Sequence, residues 1–294
     1  MTTRVEQHAQ TTHGDELRQG ERFAFGANWA RFLSVLNDDR IREAEQSLRT
    51  MLGVDSLAGR SFLDVGSGSG LFSLAARRLG AAVTSFDFDP QSVACTSELK
   101  RRYFPGDASW TVREGSVLDD AFLNTLGRFD VVYSWGVLHH TGQMWRALAN
   151  VDRLVNDSGR LFIALYNDQG GASKRWLSIK KTYNRLPRVL RPALALGVTA
   201  ALETRYALIH LVRLSPRAYI SDIVHYQSSR GMSWWHDKVD WIGGLPFEVS
   251  RPEAVFDFYR DRGYRLDRLT TCGGGYGCNQ FVFSRVSTHL PPAR

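Results

Sequence analysis

The clearest pattern of hydrophobic and polar positions lies between residues 60 and 166, where short apolar runs alternate with segments of helical periodicity. Each apolar run is short and bounded by glycine or polar residues, as in a buried strand. The runs are residues 62–65, 83–87, 110–114, 129–135 and 160–166. Strands that alternate with helices predict an α/β fold with a parallel sheet and helices on both faces.

Further elements are predicted on either side of this region. Apolar positions at helical spacing predict helices over residues 38–52, 91–103, 120–126, 144–154 and 252–263. Residues 264–271 and 279–284 are typical of two more strands, and residues 156–159 of a turn before the fifth strand. About 80 residues between the fifth strand and the last helix have no place in this alternation. An insertion of this length is expected to carry function.

The turn after the first strand is rich in glycine. Gly66, Gly68 and Gly70 remove side chains where the backbone must bend and where a ligand approaches it. This spacing differs from the G-x-G-x-x-G pattern of dinucleotide enzymes. Asp64, two residues before the first glycine, would repel a pyrophosphate but suits an ammonium group.

A second acidic residue ends the second predicted strand. Asp87 lies 21 positions after Gly66, about where a carboxylate binds the two hydroxyls of a ribose. Phe88 follows it and is included in the predicted cofactor site. Asp89 and Pro90 are typical of a helix N-cap and first turn. The alternative interpretation makes Asp87 a solvated strand end.

Two motifs carry a family resemblance. The sequence D-V-G-S-G-S-G at residues 64–70 resembles motif I of the class I S-adenosylmethionine-dependent methyltransferases. The sequence G-V-L-H-H-T at residues 136–141 resembles the small-molecule branch of that family, which includes the polyprenyl-phenol O-methyltransferases of quinone biosynthesis. The resemblance is strong over residues 60–166 and holds in outline over residues 252–285. It implies a seven-stranded Rossmann-like sheet with an antiparallel last strand, and S-adenosylmethionine as cofactor.

The resemblance also assigns cofactor contacts. Asp64 and the glycine turn would hold the methionine end, directly or through water, and Asp87 the ribose. Ser116 and Val117, after the third strand, would lie at the edge of the adenine, and Trp135 would cover the adenosine. Some related quinone enzymes place metal-binding acids after strand four. Gly136 and His139 occupy those positions here, so no metal is predicted.

Four residues are candidates for accepting a proton or orienting the methyl acceptor: His139, His140, Tyr166 and His236. The first three follow strands four and five, at the edge of the sheet where ligands bind. His236 lies beside Asp237 among three tryptophans. Histidine titrates near neutral pH, which suits a general base. A structural histidine packed against core tryptophans remains the alternative for His236.

The chain divides into six predicted regions. They are a mobile tail (1–20), an N-terminal helical flap (21–58), the cofactor-binding core (59–167), a helical cap for the substrate (168–250), the end of the sheet (251–285) and a tail (286–294). Asn28 and Trp29 in the flap are predicted to lie near the cofactor. A helix that merely covers one edge of the sheet is an equal and compatible interpretation.

Composition limits the class of protein. The 294 residues are 43% hydrophobic and 23% charged, which is typical of a globular protein. No apolar run is long enough to predict a transmembrane helix. Three cysteines and no signal peptide favour a reducing cytoplasm. Cys272 and Cys278 flank a glycine-rich turn and are predicted to be buried thiols rather than metal ligands.

The net charge of +7 permits an anionic partner. Residues 173–192 contain seven Lys and Arg and no acid, interleaved with apolar residues. A solvated helix face, peripheral contact with a membrane and an anionic acceptor all remain open interpretations of this segment. We predict a small-molecule acceptor, aromatic or lipid-like. RNA is the alternative, although no RNA-binding module is present, and a non-catalytic binding protein is the third hypothesis.

Overall fold

The computed structural model describes residues 13–19, 22–23, 29, 33, 36–212, 234–273, 275 and 277–286. Its helices are α1 (His13–Gln19), α2 (Asp38–Leu52), α3 (Leu71–Arg78), α4 (Pro90–Tyr103), α5 (Asp120–Leu123), α6 (Met144–Arg153), α7 (Gly171–Arg185), α8 (Arg191–Val212), α9 (Trp234–Gly243) and α10 (Pro252–Arg260). Its strands are β1 (Ser61–Val65), β2 (Ala82–Asp87), β3 (Trp110–Glu114), β4 (Phe129–Trp135), β5 (Val155–Tyr166), β6 (Tyr264–Thr270) and β7 (Cys278–Arg285).

The strands form one seven-stranded sheet in the order β3-β2-β1-β4-β5-β7-β6. The first five pair in parallel, and β7 runs antiparallel between β5 and β6. The predicted seven-stranded methyltransferase sheet with its antiparallel last strand is confirmed. The strand order reverses between β1 and β4, and this is the place where open α/β sheets bind ligands.

Two apolar clusters cover the two faces of the sheet. Helix α2 belongs to one of them through Ile41, Ala44, Leu48 and Leu52, which are all at most 3% exposed. Their helical spacing makes one buried face, as the sequence predicted. Asn37 caps α2, because its side chain accepts a hydrogen bond from the backbone N–H of Arg40 at 3.1 Å.

The structure corrects two predicted boundaries. The predicted turn at residues 156–159 lies within β5, where the register with β4 shifts between Phe129 and Val131. Asn156 stays in the sheet because its amide donates to Asp130 Oδ1 at 3.0 Å. The helix predicted to reach residue 126 ends at Leu123 and is capped at its start by Asp119.

Residues 13–19, within the predicted tail of residues 1–20, form helix α1. The His13 ring packs edge-on against Phe88, with 5.4 Å between ring centroids, and its Nε2 lies 3.6 Å from Asp89. Glu16 accepts from Arg22 Nε at 2.5 Å. Side-chain contacts with the end of β2 therefore fix a segment whose own sequence is polar and shows no clear periodicity.

The insertion after β5 contains α7, α8 and α9, which pack around a third apolar cluster. Its buried members are Trp176, Tyr183, Ala195, Ile242, Leu245 and Phe247. The cluster is joined to the core by the Ser250 N–H, which donates to the Tyr166 carbonyl at 2.9 Å. None of the helices in the described ranges is long and apolar enough to cross a membrane.

Candidate active site

The glycine turn begins directly after β1, at the edge of the sheet, and its backbone carries no side chain at Gly66 and Gly68. Gly66 has φ +77° and Gly68 has φ +54°, a region that favours glycine. A Cβ on Gly66 would lie 2.4 Å from Val137 Cγ1, so no side chain fits there. The Gly66 N–H donates to the Phe86 carbonyl at 2.9 Å, which ties the turn to β2. This bare, braced backbone fits the methionine end of an adenosyl cofactor.

Asp64 is almost fully buried beneath the turn, with 2% of its surface exposed. Ser73 donates to Asp64 Oδ2 at 2.5 Å, and Ser73 Oγ lies 2.7 Å from Ser85 Oγ. The Trp110 indole N–H donates to Ser85 Oγ at 2.9 Å. Because Ser73 gives its single hydroxyl proton to Asp64, Ser85 must donate to Ser73, and the whole chain of hydrogen bonds points toward the carboxylate. Burial nevertheless raises the pKa of Asp64 to about 7.

Asp87 ends β2 and braces two backbone amides. Its Oδ2 accepts from the Gly68 N–H at 2.9 Å, and its Oδ1 accepts from the Asp89 N–H at 2.9 Å. Burial is the main cause that raises its pKa to about 6, although both amides lower it. Each oxygen keeps a second lone pair, so the carboxylate can also accept hydrogen bonds from a ligand.

A cavity of about 780 Å³ opens along this edge of the sheet. Its lining includes most of the residues that the sequence assigned to the cofactor: Trp29, Asp64, Gly66, Gly68, Asp87, Phe88, Ser116, Val117 and Trp135. We call this part the donor end. Gly70 has a structural position instead, because it precedes α3 with φ +80° and a Cβ there would lie 2.8 Å from Thr96 Cα. Asn28 lies outside the described residues.

Two tryptophans line the donor end. Indole atoms of Trp29 lie 3.1 Å from the point where a Cβ on Gly68 would stand. Trp29 therefore packs directly on the glycine turn. Trp135, at the end of β4, is 45% exposed. A large ring that is half open to the cavity has unburied apolar surface available to a flat ligand.

A second part of the lining comes from the turn after β4, the end of β5, the start of β7 and the insertion, and we call it the acceptor end. Its residues include His140, Thr141, Tyr166, Trp176, Leu202, Lys238, Trp241 and Cys278. The Tyr166 ring lies 5.3 Å from Trp241 and 5.6 Å from Phe247, and the Trp176 ring lies 5.5 Å from Trp241. These rings make an aromatic wall.

The two adjacent histidines occupy different environments. His140 lines the cavity, whereas His139 is fully buried and is not part of the described lining. His139 Nδ1 accepts from the Tyr166 N–H at 3.3 Å, so a neutral ring carries its proton on Nε2. His140 Nδ1 lies 2.6 Å from the Pro246 carbonyl, which can only accept. His140 therefore carries its proton on Nδ1 and has a lone pair on Nε2.

His140 is neutral throughout the physiological range of pH. Burial lowers its pKa most strongly, Lys180 and Arg22 lower it further, and the hydrogen bond to Pro246 opposes them. The resulting pKa is about 3. Burial likewise lowers the pKa of His139 well below its usual value. His236 lies on α9, and its side chain is outside the part of the chain that the structure describes.

Lys180 is a buried cation within the basic, amphipathic segment of residues 173–192. It is 1% exposed, donates to the Trp241 carbonyl, and has its Nζ 4.9 Å from the Trp241 ring centroid and 4.8 Å from that of Phe247. The available signal was the helical spacing of Trp176, Lys180, Tyr183 and Asn184, which together form the buried face of α7.

Replacing Lys180 with methionine should lower the stability of the fold by about 2 kcal/mol, because it removes the hydrogen bond to the Trp241 carbonyl and two cation–π contacts. Chemical denaturation monitored by circular dichroism measures this. Lys181→Met is the matched control, because Lys181 is exposed. Equal midpoints for the two variants would contradict the proposed contribution of Lys180.

The two cysteines near the cavity differ from the prediction. Cys272 and Cys278 are both half-buried rather than buried. Burial raises the pKa of the Cys278 thiol to about 12, so it stays protonated at neutral pH. Within the described ranges no three His, Cys, Asp or Glu side chains are grouped closely enough to hold a metal ion.

Comparisons with known proteins agree with this fold and site. Residues 63–161 match a family model described as a methyltransferase domain. The ubiquinone biosynthesis O-methyltransferase of Xanthomonas oryzae pv. oryzae is 34% identical over 111 residues, which are 38% of this chain and 45% of that protein. The corresponding protein of Escherichia coli O6:H1 is 25% identical over 194 residues, 58% of this chain and 77% of that protein.

A solved structure supports the fold independently of close sequence similarity. An O-methyltransferase family protein from Burkholderia thailandensis superposes with a TM-score of 0.52 at 16% identity. The match covers 94% of this chain and 68% of that chain. By contrast, the chain spans somewhat less than half the length of the Xanthomonas relative.

The sheet order and the glycine turn are those expected of a class I methyltransferase fold, and residues 63–161 match a methyltransferase domain.

Proposed function

We propose that this protein transfers the methyl group of S-adenosylmethionine to an oxygen, nitrogen or carbon of a small aromatic or lipid-like molecule in the cytoplasm. The observation that carries the proposal is one cavity with two chemically different ends. The donor end combines bare backbone with buried carboxylates. The acceptor end is walled by aromatic rings, as is typical of pockets for flat or apolar ligands.

The charges in the cavity support this division. All three carboxylates of the described lining, those of Asp64, Asp87 and Asp89, belong to the donor end. They would suit the ammonium group and the ribose hydroxyls of the cofactor. The acceptor end holds cationic Lys238, whose ammonium lies 3.1 Å from Glu203. Because this ion pair carries no net charge, a neutral aromatic acceptor suits this end.

When it is bound, S-adenosylmethionine supplies a methyl group already activated by a positive sulfur. The protein therefore has to align the acceptor, exclude water and receive a proton where the acceptor carries one. We assign alignment to the aromatic wall of Tyr166, Trp176 and Trp241. The Nε2 lone pair of His140 would accept a hydrogen bond from the acceptor's O–H or N–H and orient the reacting atom.

His140→Asn tests this role, because an asparagine amide can still donate to the Pro246 carbonyl while the Nε2 lone pair is lost. We expect kcat to fall about 100-fold at saturating donor. Radiolabelled methyl transfer to a panel of catechols, phenols and their alkylated derivatives measures both the activity and the acceptor preference. Since the pKa of His140 is about 3, kcat should also show no histidine inflection between about pH 5 and 8.

Two results would contradict these assignments. Parental kcat in His140→Asn would show that Nε2 does not orient the acceptor. Absence of transfer to every aromatic acceptor, in a protein that binds S-adenosylmethionine by calorimetry, would contradict the acceptor class while leaving the donor site intact.

A further inference from the structure

Helix α8 presents an uncharged face to solvent. Among the residues of α8 whose side chains the structure describes, none of the exposed ones is charged. They recur at helical spacing and form one stripe: Pro192, Ala193, Leu196, Gly197, Ala200, Ala201, Thr204 and Leu208. Leu196 is 62% exposed and Leu208 is 56% exposed. A helix that is apolar on its outer as well as its inner face is normally buried all round.

The loop between α7 and α8 extends this surface. Val189 is 83% exposed and Leu190 is 49% exposed. Only Arg191 separates them from Pro192, the first residue of the stripe. We call Val189, Leu190 and the α8 stripe together the outer stripe. Contiguous exposed apolar surface of this kind marks a site of interaction with a partner or a membrane.

Cations precede the outer stripe along the chain, and the one acid within the span of the stripe, Glu203, pairs with Lys238 at 3.1 Å. Five exposed basic residues precede it along α7 and the loop: Lys174, Arg175, Lys181, Arg185 and Arg188. Between residues 169 and 202 the sequence contains no Asp or Glu. The partner that covers the outer stripe must therefore combine an apolar interior with negative surface charge.

We propose that the outer stripe docks the protein on an anionic lipid bilayer. Val189 and Leu190 would enter the boundary between headgroups and acyl chains, while the neighbouring arginines contact lipid phosphates. A second copy of this chain is a poorer occupant, because a symmetric contact would bring the two sets of five cations together. Nucleic acid would neutralise the cations but leave the exposed leucines in water.

The inner side of α8 connects this surface to the cavity. Ala195 and Thr199 are buried against the cap, and Leu202 lines the acceptor end. The helix that would contact lipid on one side therefore forms part of the acceptor pocket on the other. If the acceptor is lipid-like, as the proposed function allows, docking would bring the pocket next to the phase that contains it. Membrane docking itself does not depend on that function.

Co-sedimentation of the full chain with vesicles tests the proposal without any assay of methyl transfer. We compare vesicles of phosphatidylcholine alone with vesicles of equal phosphatidylcholine and phosphatidylglycerol. We expect at least about tenfold stronger binding to the anionic vesicles, and weaker binding as salt increases. Val189→Asp combined with Leu190→Asp should reduce that binding about tenfold or more. Arg185→Gln combined with Arg188→Gln should reduce it by about fivefold for each charge removed.

Val286→Asp is the matched control, because Val286 is also an exposed apolar residue, at 55%, but lies outside the cap. It should bind vesicles like the parent. Unchanged thermal unfolding in the absence of vesicles shows that the variants fold. The proposal is overturned if the parent ignores anionic vesicles, or if the Val189/Leu190 variant binds them equally well. Two further results would overturn the proposal, because each identifies a different occupant. One is a concentration-dependent dimer of the parent that the Val189/Leu190 variant does not form. The other is tighter binding of bulk RNA than of vesicles by the parent.

Discussion

Replacing Asp87 with alanine should weaken binding of S-adenosylmethionine about 100-fold or more. The proposed hydrogen bonds to the ribose are charge-assisted, and each contributes about 1.5–3 kcal/mol. The same carboxylate holds the N–H groups of Gly68 and Asp89 at 2.9 Å, so its loss also frees the turn that we propose holds the cofactor. Isothermal titration calorimetry with S-adenosylmethionine measures the change in affinity.

Asp107→Asn is the control for the change of net charge. Asp107 pairs with Arg77 at 2.5 Å and is not among the residues that line the described cavity. It should bind the cofactor like the parent. If Asp87→Ala retained parental affinity while folding normally, Asp87 would be only a structural brace for the turn, and the assignment of the ribose would be wrong.

Affinity for S-adenosylmethionine should rise by about 100-fold for each pH unit well below pH 6, by about tenfold per unit between about pH 6 and 7, and then level off. The pKa of Asp64 is about 7 and that of Asp87 about 6 in the free protein. The cofactor's ammonium and hydroxyl groups favour the ionised carboxylates, so binding below these pKa values releases protons. Calorimetry in buffers with different ionisation enthalpies counts the protons released at each pH.

Stability of the free protein should change with pH in the opposite direction. The pKa values of Asp64 and Asp87 are higher in the folded protein than in the unfolded chain. The contribution of these two carboxyl groups to the free energy of unfolding is therefore complete below about pH 4 and is lost as the pH rises to about 7. With S-adenosylmethionine bound, the stability of the protein should instead increase as the pH rises. Asp64→Asn removes one titrating group. The affinity of this variant for S-adenosylmethionine should be lower than the parent's and should increase with pH only up to about pH 6, the pKa of Asp87. A parental pH profile in Asp64→Asn would contradict the assignment of the ammonium to Asp64.

The core of the fold could be predicted from sequence because each element carries a local signal. The glycine turn requires positive φ at Gly66 and Gly68, and the buried strands show as short apolar runs. Asp64 and Asp87 lie at strand ends, where chain direction alone places them at one edge of the sheet. The sequence could not show how far burial raises their pKa values, because that depends on neighbours distant in the chain.

The acceptor end was harder to predict, because its geometry depends on contacts across long separations. His139 and His140 are adjacent in sequence, yet the Tyr166 amide and the Pro246 carbonyl give them opposite tautomers. Lys180 looks like one more surface cation until α9 and Phe247 enclose it. Helix α1 gives almost no signal of its own, and its place depends on Phe88 and Asp89. Whether His140 or another candidate contacts the acceptor stays a prediction.

Arg22 belongs to both halves of the cavity. Its guanidinium lies 5.0 Å from the centroid of the Phe88 ring at the donor end, and its Nη1 donates to the His140 carbonyl at 3.2 Å at the acceptor end. A molecule that pushes this side chain aside from one half removes a contact from the other. An inhibitor that binds in the acceptor half and reaches Arg22 would therefore change how long a demethylated cofactor stays bound in the donor half. The dissociation rate of that cofactor would reveal the inhibitor's binding mode better than equilibrium potency.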